Sequence, residues 1–221
     1  MKGKGVRAGE LSDILASSYL MNDVDGWRRD QDLCSATGCT FVSPTNQVVV
    51  AHRGTEGTAS DWGNNLAFGV GGETGYKMTQ RYRDAKKLQD EAEKKYGRDN
   101  VITTGHSQGG LIARLVGGNS KEIITVNPAS RPQDALYNKL LKNETSVQTT
   151  SDAVSFFDQN PLKKKSRNLI KIKSKKTDPI GEHSYEVLHR LGDDTVVGKK
   201  DMVFRGGGLF LRRPINRRDY H

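Results

Sequence analysis

A short apolar strand pattern, Val101-Ile102-Thr103-Thr104, runs without a break into Gly105-His106-Ser107-Gln108-Gly109, and an apolar helix pattern from Leu111 to Val116 follows at once. No other stretch constrains the fold as tightly. A strand that passes into a helix through so short a turn must reverse sharply. Residue 107 then takes a strained backbone conformation that projects its side chain from the strand end. Residues two before and two after it come close together, where only small ones fit, and both are glycine. Strands and helices alternate around this junction. Further strands are predicted at Thr40–Ser43 and Gln47–Ala51, joined by a turn at Pro44-Thr45-Asn46, and at Ile123–Val126, Val147–Thr150 and Leu169–Ile172. Val48-Val49-Val50-Ala51 is a continuous apolar run, as a strand covered on both faces requires. Helices are predicted over Leu11–Leu20, over the segment where Tyr82, Ala85, Leu88, Ala92 and Tyr96 recur before Gly97, around Asp134–Leu141, and where Tyr185, Leu188 and Leu191 mark an amphipathic face. The alternation predicts an α/β fold: a mostly parallel sheet with helices on both faces.

Composition sets the bounds. The chain has 221 residues, of which 34% are hydrophobic, enough for the core of one full-sized domain. No apolar run approaches the roughly 20 residues that span a membrane. Met1–Arg7 is basic and glycine-rich without the apolar centre of a secretory signal. On these grounds the expected setting is soluble and intracellular. The formal charge of +9 favours anionic partners: a phospholipid surface, nucleic acid or an acidic protein. Cys34 and Cys39 are the only cysteines; they are expected to be ordinary free thiols, with a local bridge as the alternative in an oxidising compartment. Met1–Glu10 is expected to be a flexible basic arm, 11–197 the folded domain, and 198–221, with Gly206-Gly207-Gly208, Arg212-Arg213 and Arg217-Arg218, a basic tail.

The chemistry follows from the junction. A serine at such an elbow is a candidate nucleophile. The helix after it aims its dipole and the N–H of Gln108 at the site, where a developing oxyanion would lie. A general base should then follow the serine, with an acid between them in chain order. Of His183, His189 and His221, His183 falls in a loop after a strand and before the last helix. His189 lies inside that helix, where a partly buried packing role is commoner, and His221 ends the tail. His52 and His106 flank the motifs and are expected to position loops. For the acid, Asp152, just after the strand at 147–150, competes with Asp178, five residues before His183, and Asp152 is favoured. Asp134 and Asp158 read as solvated.

The strand Val48–Ala51 ends in His52-Arg53-Gly54-Thr55, and Ser60-Asp61-Trp62-Gly63-Asn64-Asn65 follows. Together with Gly105-His106-Ser107-Gln108-Gly109-Gly110, about fifty residues on, these motifs resemble the class 3 lipases over roughly Gly26 to Leu191. The resemblance implies an α/β-hydrolase fold, with Thr55 supplying the second oxyanion-hole N–H beside Gln108. Ser151-Asp152-Ala153-Val154-Ser155 is similar to the family's Asp-x-Val-Ser segment. His183-Ser184 is similar to a His-Ser pair of viral and giant-virus members resembling these lipases, a likeness that implies a virion-associated setting as the alternative to an intracellular one. Arg53 and Asp61 are expected to be a loop-ordering pair. The expected activity is hydrolysis of carboxylic esters, above all lipids, by Ser107, His183 and Asp152 through an acyl-enzyme, with no metal or organic cofactor. Two alternatives stand beside it. One is an esterase or thioesterase for soluble substrates on the same machinery. The other is an inactive basic structural or nucleic-acid-binding protein, suggested by Lys163-Lys164-Lys165, Lys171, Lys173, Lys175, Lys176 and the arginine tail. Against nucleic acid, no aromatic residues interleave with the lysines as a base-stacking platform requires.

Overall fold

The structure is a computed structural model that describes residues 5–54, 79–129, 143–152, 169–175 and 182–198. Thr55, the 60–65 segment, the helix expected around 134–141, Asp134, Asp158, Lys163–Lys165, Lys176, Asp178 and the 199–221 tail with His221 lie outside the described residues.

Strands β1 (Val6–Arg7), β2 (Arg28–Ser35), β3 (Gly38–Val42), β4 (Val48–His52), β5 (Val101–His106), β6 (Glu122–Val126), β7 (Glu144–Thr149), β8 (Leu169–Ile172) and β9 (Val196–Val197) alternate with helices α1 (Ala8–Leu20), α2 (Gln80–Tyr96) and α3 (Gln108–Val116). Seven strands form one sheet in the order β2-β3-β4-β5-β6-β7-β8. The pairs β2/β3 and β3/β4 are antiparallel, and every neighbouring pair from β4 to β8 is parallel. The chain therefore has the mostly parallel central sheet of an α/β protein.

Alternate residues of the strands serve opposite faces, because side chains alternate along a strand. Val49, Ala51 and Ile102 pack with Leu11, Ile14 and Leu15 of α1. Val48, Val50 and Val101 pack with Leu88 and Ala92 of α2. Ala85 of α2 meets Ile112 and Val116 of α3. The helices thus cover both faces, and β4 is buried along its whole length. Burying side chains of this size is worth about 1.5–3 kcal/mol each before the entropy of ordering is set against it. The helix ends follow local rules. The Thr79 side chain accepts from the Tyr82 N–H at the start of α2, and Gly97 ends it at φ +83°.

Four expectations need correction. The N-terminal segment is not a free arm from Gly5 onward: β1 pairs with β9, and Val6 and Val197 are fully buried, so the first strand closes onto the last. Strand β2 was not foreseen, because its sequence RRDQDLCS lacks an apolar pattern. It is an edge strand whose register shifts between Asp30 and Cys34, and charged residues are what an exposed edge tolerates. Cys34 and Cys39 are joined in a disulfide rather than free. The turn between β2 and β3 brings them directly opposite each other. Finally, Tyr185–Leu191 is a 3₁₀ helix and not an α-helix. The recurrence of Tyr185, Leu188 and Leu191 at every third position is the period of the tighter helix.

Candidate active site

The junction that opens the sequence reading is a tight elbow. Ser107 stands between β5 and α3 at φ +62°, a region that residues with a side chain rarely adopt. The surrounding backbone holds it there. The Ser107 N–H donates to the Val126 carbonyl at 3.1 Å, and the Ser107 carbonyl accepts from the Ala129 N–H at 2.8 Å. The two flanking glycines are steric necessities. A Cβ on Gly105 would lie 2.2 Å from the Gly109 carbonyl, and one on Gly109 would lie 2.2 Å from the His52 carbonyl oxygen. Real Cβ atoms essentially never approach so closely.

Three strand ends then converge. Ser107 follows β5, Asp152 follows β7, and His183 lies in the segment after β8. These are the carboxyl ends of parallel strands, where open α/β sheets place their sites. His183 Nε2 is 2.8 Å from Ser107 Oγ, and His183 Nδ1 is 2.8 Å from Asp152 Oδ1. A carboxylate can only accept, so Nδ1 carries the proton and Nε2 is left to accept from the serine hydroxyl. Ser107 and Asp152 are buried, and the His183 side chain is 9% exposed. Of the other histidine in the last helix, the structure makes a different use from the one expected. His189 is exposed, with Nδ1 2.6 Å from Asp193 Oδ1.

Gln108 is the first residue of α3, where backbone N–H groups point out of the helix start. The other expected oxyanion donor, Thr55, lies outside the described residues; Arg53 and Gly54, which precede it, do not. The Gly54 N–H donates to the Tyr19 hydroxyl at 3.0 Å, and Arg81 donates to the carbonyls of Arg53 and Gly54 at 2.6 and 2.8 Å. Gly54 has no room for a side chain, since a Cβ there would lie 2.1 Å from the Tyr19 hydroxyl. That hydroxyl also lies 3.3 Å from His106 Nδ1. Tyr19 therefore links the end of β4 to the residue before Ser107. The Arg53 guanidinium sits over the Tyr19 ring, 5.8 Å from its centre.

The two motif histidines are buried, and each meets a helix side chain. His52 shares a hydrogen bond of 3.1 Å with Gln89 of α2, and burial pushes its pKa down to about 4. The His106 ring packs 4.7 Å from that of His183. Burial first, and then the neighbouring His183, hold His106 well below the usual histidine range.

Sequence reasoning missed Tyr19, Arg81, Gln89 and Asn127. Each is a single polar residue distant in sequence from the motifs and carries no spacing signature. Tyr19 gives a direct test. In Tyr19→Phe, the Gly54 N–H loses its acceptor and His106 its hydroxyl partner. The expected cost is on the order of 1–3 kcal/mol, read as a lowered urea midpoint at unchanged slope.

No protein-family model matches this chain, and no curated protein matches it. The resemblance to class 3 lipases therefore stands on its motif residues alone.

Proposed function

We propose that the protein is a serine hydrolase of the α/β-hydrolase type that cleaves carboxylic esters, with a lipid ester as its substrate class. One observation carries the reading: a continuous hydrogen-bonded array, Ser107 to His183 to Asp152, hangs from a serine held at positive φ between a strand and a helix. In the proposed reaction His183 takes the Ser107 proton as Oγ attacks the ester carbonyl. Asp152 holds the imidazole in the Nδ1–H tautomer and stabilises its positive charge. The N–H groups of Gln108 and Thr55 receive the tetrahedral oxyanion. The alcohol leaves with the proton from His183, and water activated by the same imidazole then cleaves the acyl-enzyme.

The test is reaction of the purified protein with a fluorophosphonate probe, followed by hydrolysis of a panel of esters below and above their aggregation points. Labelling on Ser107 supports the nucleophile. A rate that climbs when the ester aggregates supports a lipase, and equal rates support an esterase for soluble substrates.

A basic surface near the site supports a lipid interface. Strand β8 is an edge strand, and Lys171, Lys173 and Lys175 are exposed along and just beyond it. Lysines also protect an edge from pairing, so vesicles decide between the two uses. Binding to anionic vesicles is expected to exceed binding to neutral ones and to fall with added salt. Each basic residue near such a surface contributes about 1 kcal/mol, which salt screens. Equal sedimentation with both vesicle types would remove the membrane from the proposal.

A further inference from the structure

Both residues that serve Ser107 in the proposed reaction are held from one side chain that belongs to neither loop. Asn127 follows β6 and is fully buried at φ +39°. Its Nδ2 donates to the Glu182 carbonyl at 2.9 Å and to the Ser184 carbonyl at 3.3 Å, the two residues that flank His183. Its Oδ1 accepts from the Thr149 N–H at 2.9 Å, at the end of the strand that leads to Asp152. The Thr149 hydroxyl has one proton; it lies 2.9 Å from the Glu182 carbonyl and 3.4 Å from Asn127 Oδ1, so it serves the carbonyl first. The backbone on either side of Asn127 grips the nucleophile, through the Val126 carbonyl and the Ala129 N–H. A stretch of four residues therefore touches all three arms of the array.

We infer that Asn127 is a positioning residue that sets the distance between His183 and Asp152; the inference rests on the serine hydrolase reading for its link to catalysis. The chemistry of the site calls for an amide. Two carbonyls need donors and one N–H needs an acceptor, all within the reach of a single short side chain. A carboxylate would turn acceptor oxygens toward the Glu182 and Ser184 carbonyls. An aliphatic residue would remove the acceptor of the Thr149 N–H and the donors to the Ser184 and Glu182 carbonyls, leaving the Thr149 hydroxyl still bonded to the latter. Glutamine is one methylene too long for bonds already at contact distance. Asparagine also tolerates positive φ better than most residues with a side chain. Because the two donated bonds fall immediately before and after His183, they fix its backbone against sliding along the loop. The far side of the loop is held separately. The Glu182 carboxylate is buried, accepts from the Lys175 N–H at 3.1 Å and pairs with Arg190.

The test compares Asn127→Asp, which keeps shape and removes the donors, with Asn127→Gly, which keeps positive φ and removes the side chain. Both are examined by circular dichroism before kinetics. The expected result is a loss of about 100-fold in kcat and in the rate of fluorophosphonate labelling, at unchanged KM, the size of effect that a displacement near 1 Å produces. The ring 15N shifts of His183 are expected to move from the pure Nδ1–H tautomer in the wild type toward a mixture in both variants. That second readout does not depend on activity. If the wild-type protein fails to label while the variants still shift the tautomer, the hydrolase reading falls and the positioning role stands. Wild-type tautomer and wild-type labelling rate in a folded Asn127→Asp or Asn127→Gly protein would overturn the inference.

Discussion

Ser107→Ala is expected to abolish fluorophosphonate labelling and ester hydrolysis while leaving the fold in place. The loss in turnover should approach the roughly million-fold drop seen when a serine protease loses its nucleophile, since the proposed acyl-enzyme forms on the Ser107 hydroxyl. The fold should survive for a geometric reason. Serine and alanine both carry a Cβ, so the strain at φ +62° is the same for either. The backbone bonds that hold the elbow, Ser107 N–H to Val126 and Ala129 N–H to the Ser107 carbonyl, do not involve the hydroxyl. What disappears is the hydroxyl bond to His183 Nε2, worth on the order of 1 kcal/mol net. Probe labelling, ester turnover and a thermal melt on the same preparation separate these effects. A folded Ser107→Ala protein with wild-type hydrolysis would remove the central claim.

Strands β4 and β5 at the centre of the sheet were legible because they carry apolar residues on both faces. Val48–Ala51 and Val101–Thr104 could not be solvated on either side, and the structure buries both completely. The antiparallel margin was not legible. The sequence of β2 is dominated by charge, and its two buried members, Asp30 and Leu33, do not alternate as in a regular strand. Asp30 is buried yet carries no apolar signal; it receives Lys95 at 2.7 Å and the Tyr96 hydroxyl at 2.6 Å from the end of α2. Two-residue strands such as β1 and β9 fall below any period a pattern can reveal. Their pairing depends on where residues 6 and 197 meet in space. The disulfide between Cys34 and Cys39 has the same origin. It depends on the register of a hairpin whose first strand gave no sign of itself.

For the candidate site, the grouping of Ser107, Asp152 and His183 was legible from chain order and from the strand ends before each residue. Their supports were not. Tyr19 lies on the last turn of α1, and nothing in its neighbourhood announces a bond to Gly54. Asn127 precedes Pro128 after a strand, which reads as an ordinary turn; only the folded chain shows the carbonyls of residues 182 and 184 in front of it. A long-range polar contact leaves no periodic trace in either segment. Local patterns therefore locate the residues proposed to react and miss those that hold them.

Asp152→Asn is expected to lower turnover by about four orders of magnitude, the effect of the same exchange in serine proteases, while Asp178→Asn stays near wild type. Asp152 Oδ1 lies 2.8 Å from His183 Nδ1, and its carboxylate is buried. A carboxylate accepts and never donates, so it forces the proton onto Nδ1 and leaves Nε2, the proposed base, facing Ser107. An asparagine offers both an oxygen and an NH2 group. When the NH2 group faces the ring, Nδ1 must accept, the proton moves to Nε2, and the nitrogen facing Ser107 can no longer remove its proton. The exchange also deletes the negative charge that stabilises the imidazolium in the transition state, an effect magnified by burial. Geometry should change little, because the Asp152 backbone is anchored through residues 149–151, with Thr150 donating to the Ile172 carbonyl at 3.0 Å and the Ser151 N–H donating to Ser174 Oγ at 2.9 Å. Chain length fits as well: 31 residues separate Asp152 from His183, and β8 lies between them. Asp178 would instead have to serve a histidine five residues away in the same connection. Parallel kinetics on the two variants, with circular dichroism to exclude unfolding, decide the assignment. An inactive Asp178→Asn beside a near-normal Asp152→Asn would transfer the role of the acid to Asp178. Ser107 and His183 would keep theirs, because the hydroxyl-to-imidazole contact is made without Asp152.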